Sequence, residues 1–442
     1  MPPQEKHKQM LESATPKTSP VGYIELIRGN ADFRYLWLGQ VVSLLGDWFN
    51  LIASAALVGA LTESGLAIGG LFVVRMLSQF VGSPIGGVLA DRYNRKTLLI
   101  VTDLFRAAVV LGFLLVDTPE EVWLLYVLTA FQLFTSGLFI PARDAILPDV
   151  VTDRELGAAN AINAATWSTM LALGAALGGF VAGQFGLRPA FIIDSLTFVL
   201  SAGLILRVNY TTPDALKNAE KSVKAGFLQY VDGLRFLAAN HPVLVIALQK
   251  ASMALAVSSV FQIIQVELSS KVYVIGEGGS TSLGLFYAMV GIGTGIGPIL
   301  SRYFTHDDDR LMRLWMVAGY VVTSVGMVTV AMLGVFPLTL GGVLLRGLGV
   351  AITWVFSTQI LLQTLPGDVR GRVFGTEFAM VTLMNAFGAG FGGWLLDSAL
   401  VTIPQMLWGM ATLNLLLCAL WVWLGLLKPV GPLVLVEEET PS

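Results

Sequence analysis

One acidic side chain lies in the middle of a long apolar segment near the start of the chain. Asp47 is three or four residues away from further polar side chains, and this spacing continues in both directions. Residues with this spacing share one face of a helix, here as a polar stripe on an apolar surface. The stripe consists of Gln40, Ser43, Asp47, Asn50 and Ser54. A helix that starts near residue 36 carries Asp47 about 16 Å along its axis, since each residue adds about 1.5 Å.

A carboxylate at that depth could bind and release a proton. If the segment crosses a membrane, a charge near its centre costs at least ~2.5 kcal/mol, so such residues face a cavity or a partner. We predict that Asp47 is a proton site and that Gln40, Ser43 and Asn50 line the same cavity. The alternative is that Asp47 is fixed in a structural hydrogen-bond network.

Two basic residues lie in later apolar segments. Arg346 is about as deep in its segment as Asp47 and shares a helix face with Thr353, while Lys250 shares one with Phe261. We predict that these residues line the cavity, where Arg346 and Lys250 attract an anionic group or compete with the proton for Asp47. A permanent ion pair between Arg346 and Asp47 is an equally good interpretation.

Further charged groups occur in other apolar segments. Glu377 lies two turns into its segment and is a candidate second proton site, with structural ion pairing as the alternative. Arg75 shares a helix face with polar residues and is predicted to line the cavity. Asp103 and Arg106 are three residues apart, which is the spacing of an ion pair within one helix. We interpret this pair as structural.

Large aromatic side chains are candidates for the cavity wall, because their rings favour large lipophilic or cationic ligands. The candidates are Trp48, Phe49, Trp167, Phe261, Tyr287, Trp354, Phe356 and Phe378. Aromatic residues make up 10% of the chain, so most of them serve in packing. We assign Trp167 and Phe261 to the cavity.

Twelve membrane-spanning helices are predicted to position these side chains. Of the 442 residues, 55% are hydrophobic and only 13% are charged, whereas soluble proteins have roughly 25% charged residues. One span needs about 20 apolar residues, and apolar runs of that length recur along the chain. The predicted fold class is therefore all-α and integral to the membrane. The predicted helices lie near residues 35–60, 66–89, 97–117, 122–142, 159–185, 190–207, 242–268, 281–303, 311–333, 337–364, 371–396 and 403–427.

A weak internal repeat divides these helices into two six-helix bundles related by a pseudo-twofold axis. Gly82–Gly86 in helix two is similar to Gly295–Ile299 in helix eight, and Leu147–Pro148 is similar to Leu365–Pro366. Such repeats are typical of transporters that rock around a central site. The predicted regions are an N-terminal tail (1–33), a first half (34–207), a linker (208–241), a second half (242–427) and a C-terminal tail (428–442).

The linker contains apolar residues at helical spacing. Phe227, Val231, Leu234 and Leu237 would form one apolar face of an amphipathic helix. Such a helix could lie on the membrane surface, or it could pack beneath the bundle. The two interpretations are equally good.

Basic residues predict the orientation in the membrane. Loops on one side hold most of the 27 Lys and Arg residues, while the loops on the other side hold Arg188 and Lys271. Loops rich in Lys and Arg stay on the cytoplasmic side. Both termini are therefore predicted to be cytoplasmic.

Several kinds of site are excluded by composition. The chain has one cysteine, Cys418, and three histidines that are far apart in sequence, so we expect neither a disulfide framework nor a metal cluster. A net charge of −3 gives no sign of nucleic-acid binding. No phosphate-binding loop accompanies the helices. We expect no cofactor, no metal, no nucleic-acid partner and no enzymatic activity.

The joint between predicted helices two and three reads Gly87-Val88-Leu89-Ala90-Asp91-Arg92-Tyr93-Asn94-Arg95-Lys96. It resembles the signature loop of the major facilitator superfamily. The resemblance implies a latch between the halves, in which Asp91 accepts hydrogen bonds from the N-terminus of helix eleven near Gly371. An anion is stabilised there by the helix dipole. Gly87 would allow close helix approach, and Arg143 and Asp144 would join the latch. The alternative is that Arg92, Arg95 and Lys96 serve topology alone.

Further motifs narrow the resemblance. These are Phe33-Arg34, Trp37-Leu38-Gly39-Gln40, Ser43-Leu44-Leu45-Gly46-Asp47, Pro141-Ala142-Arg143 and Arg370-Gly371-Arg372-Val373. They resemble the bacterial drug:proton antiporter subgroup, which includes macrolide efflux proteins and enterobactin-type siderophore exporters. Two departures are a helix five without the Gly-Pro pair of many drug antiporters, and a second-half loop reduced to residues 305–310.

The narrower resemblance implies an exporter in the bacterial plasma membrane, and we expect it to be monomeric. It would move small drug- or macrolide-like molecules by proton-coupled alternating access, through a cavity lined by helices one, four, seven and ten. Arg346 and Lys250 leave open an exporter of a siderophore, another anionic metabolite or a lipid. A ligand sensor that moves nothing across the lipid bilayer is the alternative from another class.

Overall fold

The structure is a computed structural model that describes residues 21–211, 233–305, 308–398 and 400–429. Within these ranges the long elements are α-helices, which confirms the predicted all-α class. A short helix, Tyr23–Gly29, precedes them. The long helices are α1 (Ala31–Thr62), α2 (Gly65–Arg92), α3 (Arg95–Leu111), α4 (Val122–Val150), α5 (Arg154–Phe185), α6 (Leu187–Ile205), α7 (His241–Val272), α8 (Ser280–Thr305), α9 (Asp309–Ala331), α10 (Phe336–Thr364), α11 (Gly367–Asp397) and α12 (Ile403–Trp423).

Eleven of these helices are long and apolar enough to cross a membrane. The remaining predicted span corresponds to α8, which is 26 residues long. The predicted boundaries hold within about five residues except at two helix ends. Helix α3 ends at Leu111, where a 3-10 helix follows, and α4 continues to Val150 through Pro141 and Pro148. Helix α5 contains a π-helical turn at Met170–Gly174, and α7 contains two, at Ala254–Ser258 and Leu268–Val272.

Polar residues at the helix starts explain where the chain turns. The side chain of Ser64 accepts a hydrogen bond from the backbone N–H of Ala67 at the start of α2, and Asn94 does the same for Thr97 in α3. These bonds satisfy amide groups that have no partner within the helix. The joints are consequently short, and they keep consecutive helices antiparallel.

Helices α1–α6 form a first half and α7–α12 a second half. The chain connectivity places the two ends of the linker, near residues 208 and 240, at one end of the bundle, called here the linker end. The opposite end, called the far end, holds the joints near residues 63, 118, 186, 275, 334 and 400.

The two halves meet at the far end and separate toward the linker end. A far-end apolar cluster draws residues from both halves, among them Ile52 and Phe72 from the first and Val266 and Leu283 from the second. At the linker end each half has a cluster of its own, one around Leu99 and Phe139 and the other around Met316 and Phe356. The space between the halves therefore opens toward the linker end.

The described part of the linker packs against the second half. Residues 233–239 are helical, and Phe236 and Leu237 are buried in the linker-end cluster of that half. Gly233 lies so close to α11 that a Cβ there would meet the backbone of Arg372. These contacts favour packing beneath the bundle, although Leu234 is half exposed. Phe227 and Val231 lie outside the described residues, as do the tails before residue 21 and after residue 429.

Candidate functional site

A cavity of about 440 Å³ lies between the two halves. Seven helices line it, which are α1, α2, α4 and α5 of the first half and α7, α8 and α10 of the second. The predicted set of one, four, seven and ten is thus joined by α2, α5 and α8. Most of the wall is apolar. Its polar side chains are Asp47, Arg75, Gln79, Ser136, Ser258, Gln262, Gln265, Tyr287, Thr294 and Arg346.

Four of the predicted site residues line this cavity, namely Asp47, Arg75, Trp167 and Arg346. The side chain of Asp47 is 27% exposed, which gives it access to the cavity. Trp48 and Tyr287 stand on opposite halves with ring centroids 5.7 Å apart. An aromatic wall is therefore present, with Trp48, Trp167 and Tyr287 as its members.

The rest of the polar stripe on α1 does not line the cavity. Gln40, Ser43 and Asn50 are at most 4% exposed and point into the first half. The spacing correctly places them on one helix face, but it cannot say which neighbour that face meets. The neighbour is α6, because Gly39 and Gly46 have no Cβ and let α6 approach closely.

Two residues of the second half were also wrongly assigned to the cavity. Thr353 is fully buried and its hydroxyl bonds the backbone carbonyls of Gly349 and Met316, at 3.3 and 3.4 Å. Phe261 is fully buried beneath the guanidinium of Arg346, with 4.3 Å between the guanidinium carbon and the ring centroid. Both side chains support α10 from behind the cavity wall.

Asp47 is paired with Arg106 and not with Arg346. The Nη1 atom of Arg106 lies 3.7 Å from Oδ2 of Asp47. Arg106 also forms the predicted ion pair with Asp103, whose other oxygen accepts a hydrogen bond from Ser201 at 2.7 Å. The pair lies inside the first half, because Arg106 is 1% exposed. Its guanidinium lies over the rings of Phe139 and Phe198, at 4.6 and 4.2 Å.

A second carboxylate, missed in the sequence analysis, lies behind Asp47. Asp194 of α6 is fully buried, and in the described part of the chain neither of its oxygens has a hydrogen-bond partner of ordinary geometry. It interacts electrostatically with Asp47, Arg106 and Arg75. The signal was available in the sequence, since Asp194 stands inside a predicted span. It was overlooked because it lies only a few residues from the start of that span.

The two arginines on the cavity wall have no acidic residue at ion-pair distance among the residues described. Arg346 of α10 is 5% exposed, and its Nε has no hydrogen-bond partner there. The same holds for Nη1 of Arg75 and for the buried hydroxyl of Tyr287. Arg75 interacts electrostatically with Asp47, Asp194 and Tyr287, while Arg346 interacts electrostatically with Tyr287. The cavity can therefore bind an acidic group at Arg346.

Lys250 and Glu377 neutralise each other inside the second half. Their Nζ and Oε2 atoms are 2.8 Å apart, and both side chains are about 5% exposed. The ammonium also lies over the rings of Trp354 and Phe374. Lys250 is consequently not a free cation for a ligand, contrary to our prediction. The partner that we could not identify for Glu377 from sequence is Lys250.

The model of the Major Facilitator Superfamily matches residues 36–375. The chain belongs to this superfamily. Its members are transporters, so this transporter is a multi-pass membrane protein and not an enzyme.

Relatives of the transporter include exporters. It is 28% identical over 417 residues to the "Uncharacterized MFS-type transporter YfiS" of Bacillus subtilis, covering 92% of this chain and 94% of that one. It is 24% identical to the "Putative bacilysin exporter BacE" of Bacillus subtilis (81% and 87% covered). It is 26% identical to the "Enterobactin exporter EntS" of Citrobacter koseri (84% and 87% covered).

Solved structures support the fold of the transporter. The nucleoside transporter NupG aligns with a TM-score of 0.68 at 11% identity, covering 89% of this chain and 97% of that one. A bacterial homologue of the iron transporter ferroportin, solved in an inward-facing state, aligns with a TM-score of 0.65 at 15% identity (89% and 98% covered).

In this conformation, side chains of the signature loop (residues 87–96) contact helices of the first half. Arg95 donates to Asp149 at 2.6 Å and lies 4.0 Å from Asp91. Lys96 donates to the backbone carbonyls of Leu206 and Val208, just after the end of α6, at 2.9 and 2.7 Å. Arg92 is exposed on the helix end. These contacts hold α2, α3, α4 and α6 together.

The close approach predicted for Gly87 is made by its neighbour. A Cβ on Gly87 would meet nothing within 4 Å, whereas one on Gly86 would collide with the backbone of α4 at Gly137. Arg143 forms an ion pair at 2.6 Å with the adjacent Asp144. A latch between Asp91 and the start of α11 stays a prediction for a conformation in which the linker end is closed.

Proposed function

We propose that this transporter exports small amphipathic molecules that carry an acidic group and a basic group, in exchange for protons. The observation that carries the proposal is Arg346, a guanidinium on the cavity wall without an acidic partner among the described residues. A buried charge is costly unless it is paired. A carboxylate of the substrate would supply the pair, since guanidinium binds carboxylate through two parallel hydrogen bonds.

The rest of the cavity suits an apolar body. Trp48, Trp167 and Tyr287 offer aromatic surface, and the volume lies in the range of about 300–1,000 Å³ that is usual for small-molecule sites. The exporters of bacilysin and enterobactin among the relatives support outward transport of small molecules. A lipophilic cation would meet two guanidiniums, so macrolide-like and cationic drugs are the less favoured substrates.

Charge balance supports exchange with protons. Three carboxylates of the first half, Asp47, Asp103 and Asp194, face two guanidiniums, Arg75 and Arg106. The group is one positive charge short of neutral, and either a proton or a basic group of the substrate can supply it. The proton and the basic group of the substrate compete to supply this one positive charge. Substrate binding therefore releases the proton, and proton binding releases the substrate. A purely anionic substrate would not compete in this way.

The proposal includes the orientation of the transporter in the membrane, with the linker end in the cytoplasm. The linker end carries Arg34, Arg92, Arg95, Arg207 and Arg370, so the positive-inside rule assigns it to the cytoplasm. The cavity in this conformation would then be open to the cytoplasm, ready to bind substrate for export. Both termini would be cytoplasmic, and the membrane would be the bacterial plasma membrane.

Three matched probes test the proposal on purified protein. They are phenylalanyl-phenylalanine, its N-acetyl form without a basic group, and its C-terminal amide without an acidic group. We expect the unmodified dipeptide to bind tightest, and Arg346→Gln to lower its affinity about tenfold or more, since a hydrogen bond to a charged group is worth roughly 1.5–3 kcal/mol. The same substitution should leave the affinity of the amide nearly unchanged. Equal losses for all three probes would contradict recognition of an acidic group by Arg346.

A further inference from the structure

Asp194 differs from the other buried carboxylates of the first half. Asp103 has two partners, the guanidinium of Arg106 and the hydroxyl of Ser201. Asp47 has Arg106 at 3.7 Å and the open cavity in front of it. Asp194 has neither, since it is fully buried and both its oxygens lack a hydrogen-bond partner among the described residues. An ionised carboxylate in that position would be buried with neither a hydrogen bond nor an ion pair from the described residues, which is strongly unfavourable.

No cation among the described residues lies within ion-pair distance of Asp194, although Arg75 and Arg106 interact with it electrostatically. The packing of α1 is so close that a Cβ on Gly46 would collide with the carboxylate. The charged groups that interact with it are Asp47 from α1, Arg75 from α2 and Arg106 from α3. Arg106 already forms ion pairs with Asp103 and Asp47. Asn50 of α1 approaches Asp194, but the two side chains do not form a hydrogen bond of ordinary geometry.

We propose that Asp194 holds the exchanged proton in this cavity-open conformation, while Asp47 stays ionised beside Arg106 and passes the proton between the cavity and Asp194. The inference rests on the proton exchange proposed above and adds the residue on which the proton is stored. When a basic group of the substrate enters beside Asp47, the O–H bond at Asp194 breaks. The proton moves to Asp47 and from there to cavity water, and the carboxylate left at Asp194 balances the new positive charge.

Infrared difference spectroscopy of the purified transporter tests this directly. A protonated carboxylic acid has a carbonyl stretch above the amide bands that shifts in D2O, and an ionised carboxylate lacks it. We expect one such band at neutral pH in the wild type and its loss in Asp194→Asn. Asp47→Glu and Asp103→Glu are the matched controls, since they alter the neighbouring carboxylates without changing the charge of the cluster, and the band should keep its frequency in both.

Other outcomes would overturn the proposal. A band that persists in Asp194→Asn, or one that shifts or disappears in Asp47→Glu, would place the proton elsewhere. The absence of any such band in the wild type would contradict storage of a proton at Asp194. If Asp194→Asn does not purify as a monodisperse protein, Asp194→Glu serves instead. Its longer side chain should shift the band, and an unshifted band would count against Asp194.

A second measurement separates this inference from the proposed function. Proteoliposomes loaded with phenylalanyl-phenylalanine and a pH-sensitive dye report proton movement that accompanies transport. We expect Asp194→Asn to move the dipeptide without protons. If the wild type itself moves no protons while its infrared band depends on Asp194, the proposed exchange fails and the protonated site stands. If protons move as in the wild type in Asp194→Asn, the inference fails and the exchange stands.

Discussion

The carboxylate of Asp397, at the end of α11, accepts a hydrogen bond from the backbone N–H of Gly65 at the start of α2, at 2.6 Å. It also accepts bonds from the N–H of Leu66 at 3.0 Å and the hydroxyl of Ser64 at 2.5 Å. A helix N-terminus favours an anion. This cap joins the two halves at the far end, where Gly69 and Ala389 are in backbone contact. The far end is thus closed by the kind of contact that was predicted for Asp91 at the linker end.

Replacing Asp397 should loosen the far end. Asp397→Asn removes the charge and one or more of the three hydrogen bonds, and losing a cap costs roughly 0.5–2 kcal/mol. We expect the population with an open far end to rise about two- to thirtyfold, since 1.4 kcal/mol is about a factor of ten. Spin labels at Glu120→Cys and Val335→Cys, in a Cys418→Ala background, should report longer distances. Asp308→Asn is the matched control, because Asp308 caps Leu311 within one half. Equal changes in both variants would contradict a role of Asp397 between the halves.

The ion pair between Lys250 and Glu377 should be costly to break from one side. Lys250→Met leaves a buried carboxylate without its partner, which typically destabilises a protein by about 3–5 kcal/mol. The double variant Lys250→Met with Glu377→Gln removes both charges and should recover most of the thermal stability. Melting of the detergent-solubilised protein, followed by tryptophan fluorescence, measures this. A double variant no more stable than Lys250→Met would mean that the charges do not compensate each other.

Two glycines with opposite surroundings make a matched pair for packing. Gly46→Ala drives a methyl group into Thr197 and Asp194, and overpacking of this kind costs about 1–3 kcal/mol or more. Gly87→Ala adds a methyl group in open space, where alanine favours a helix by roughly 1 kcal/mol over glycine. We therefore expect Gly46→Ala to lower the melting temperature relative to the wild type and Gly87→Ala to leave it unchanged or raise it. A Gly87→Ala protein that melts normally but transports poorly would support the predicted latch in the closed-linker conformation.

Removal of Arg106 should unbalance the charge cluster of the first half. Arg106→Met leaves Asp47 and Asp103 without their cation, so we expect a large loss of thermal stability at neutral pH. The loss should shrink as the pH falls, because protonated carboxylates no longer need the cation. Arg313→Met is a useful comparison, since Arg313 is equally buried but pairs with the half-exposed Asp309. A loss of thermal stability in Arg106→Met that does not change with pH would contradict the charge-based explanation.

The helices could be predicted from sequence because each is a local pattern of about 20 apolar residues with a polar cap. Asp47, Arg75, Trp167 and Arg346 were also found, since a charge or a large ring in an apolar run is visible locally. The ion-pair partners of the buried charged residues could not be predicted. Lys250 and Glu377 are 127 residues apart, and which helices become neighbours depends on close approaches between glycine-containing faces. Gln40, Ser43 and Asn50 were wrongly assigned to the cavity for the same reason.

Proton movement driven by substrate tests the central claim most directly. Proteoliposomes with a pH-sensitive dye inside are given phenylalanyl-phenylalanine, and wild type is compared with Asp47→Asn. We predict a proton signal in the wild type that requires the basic group of the probe and is absent with the N-acetyl form. Asp47→Asn, the isosteric neutral variant, should bind the dipeptide and give no proton signal. Dipeptide transport with an undiminished proton signal in Asp47→Asn would contradict the account.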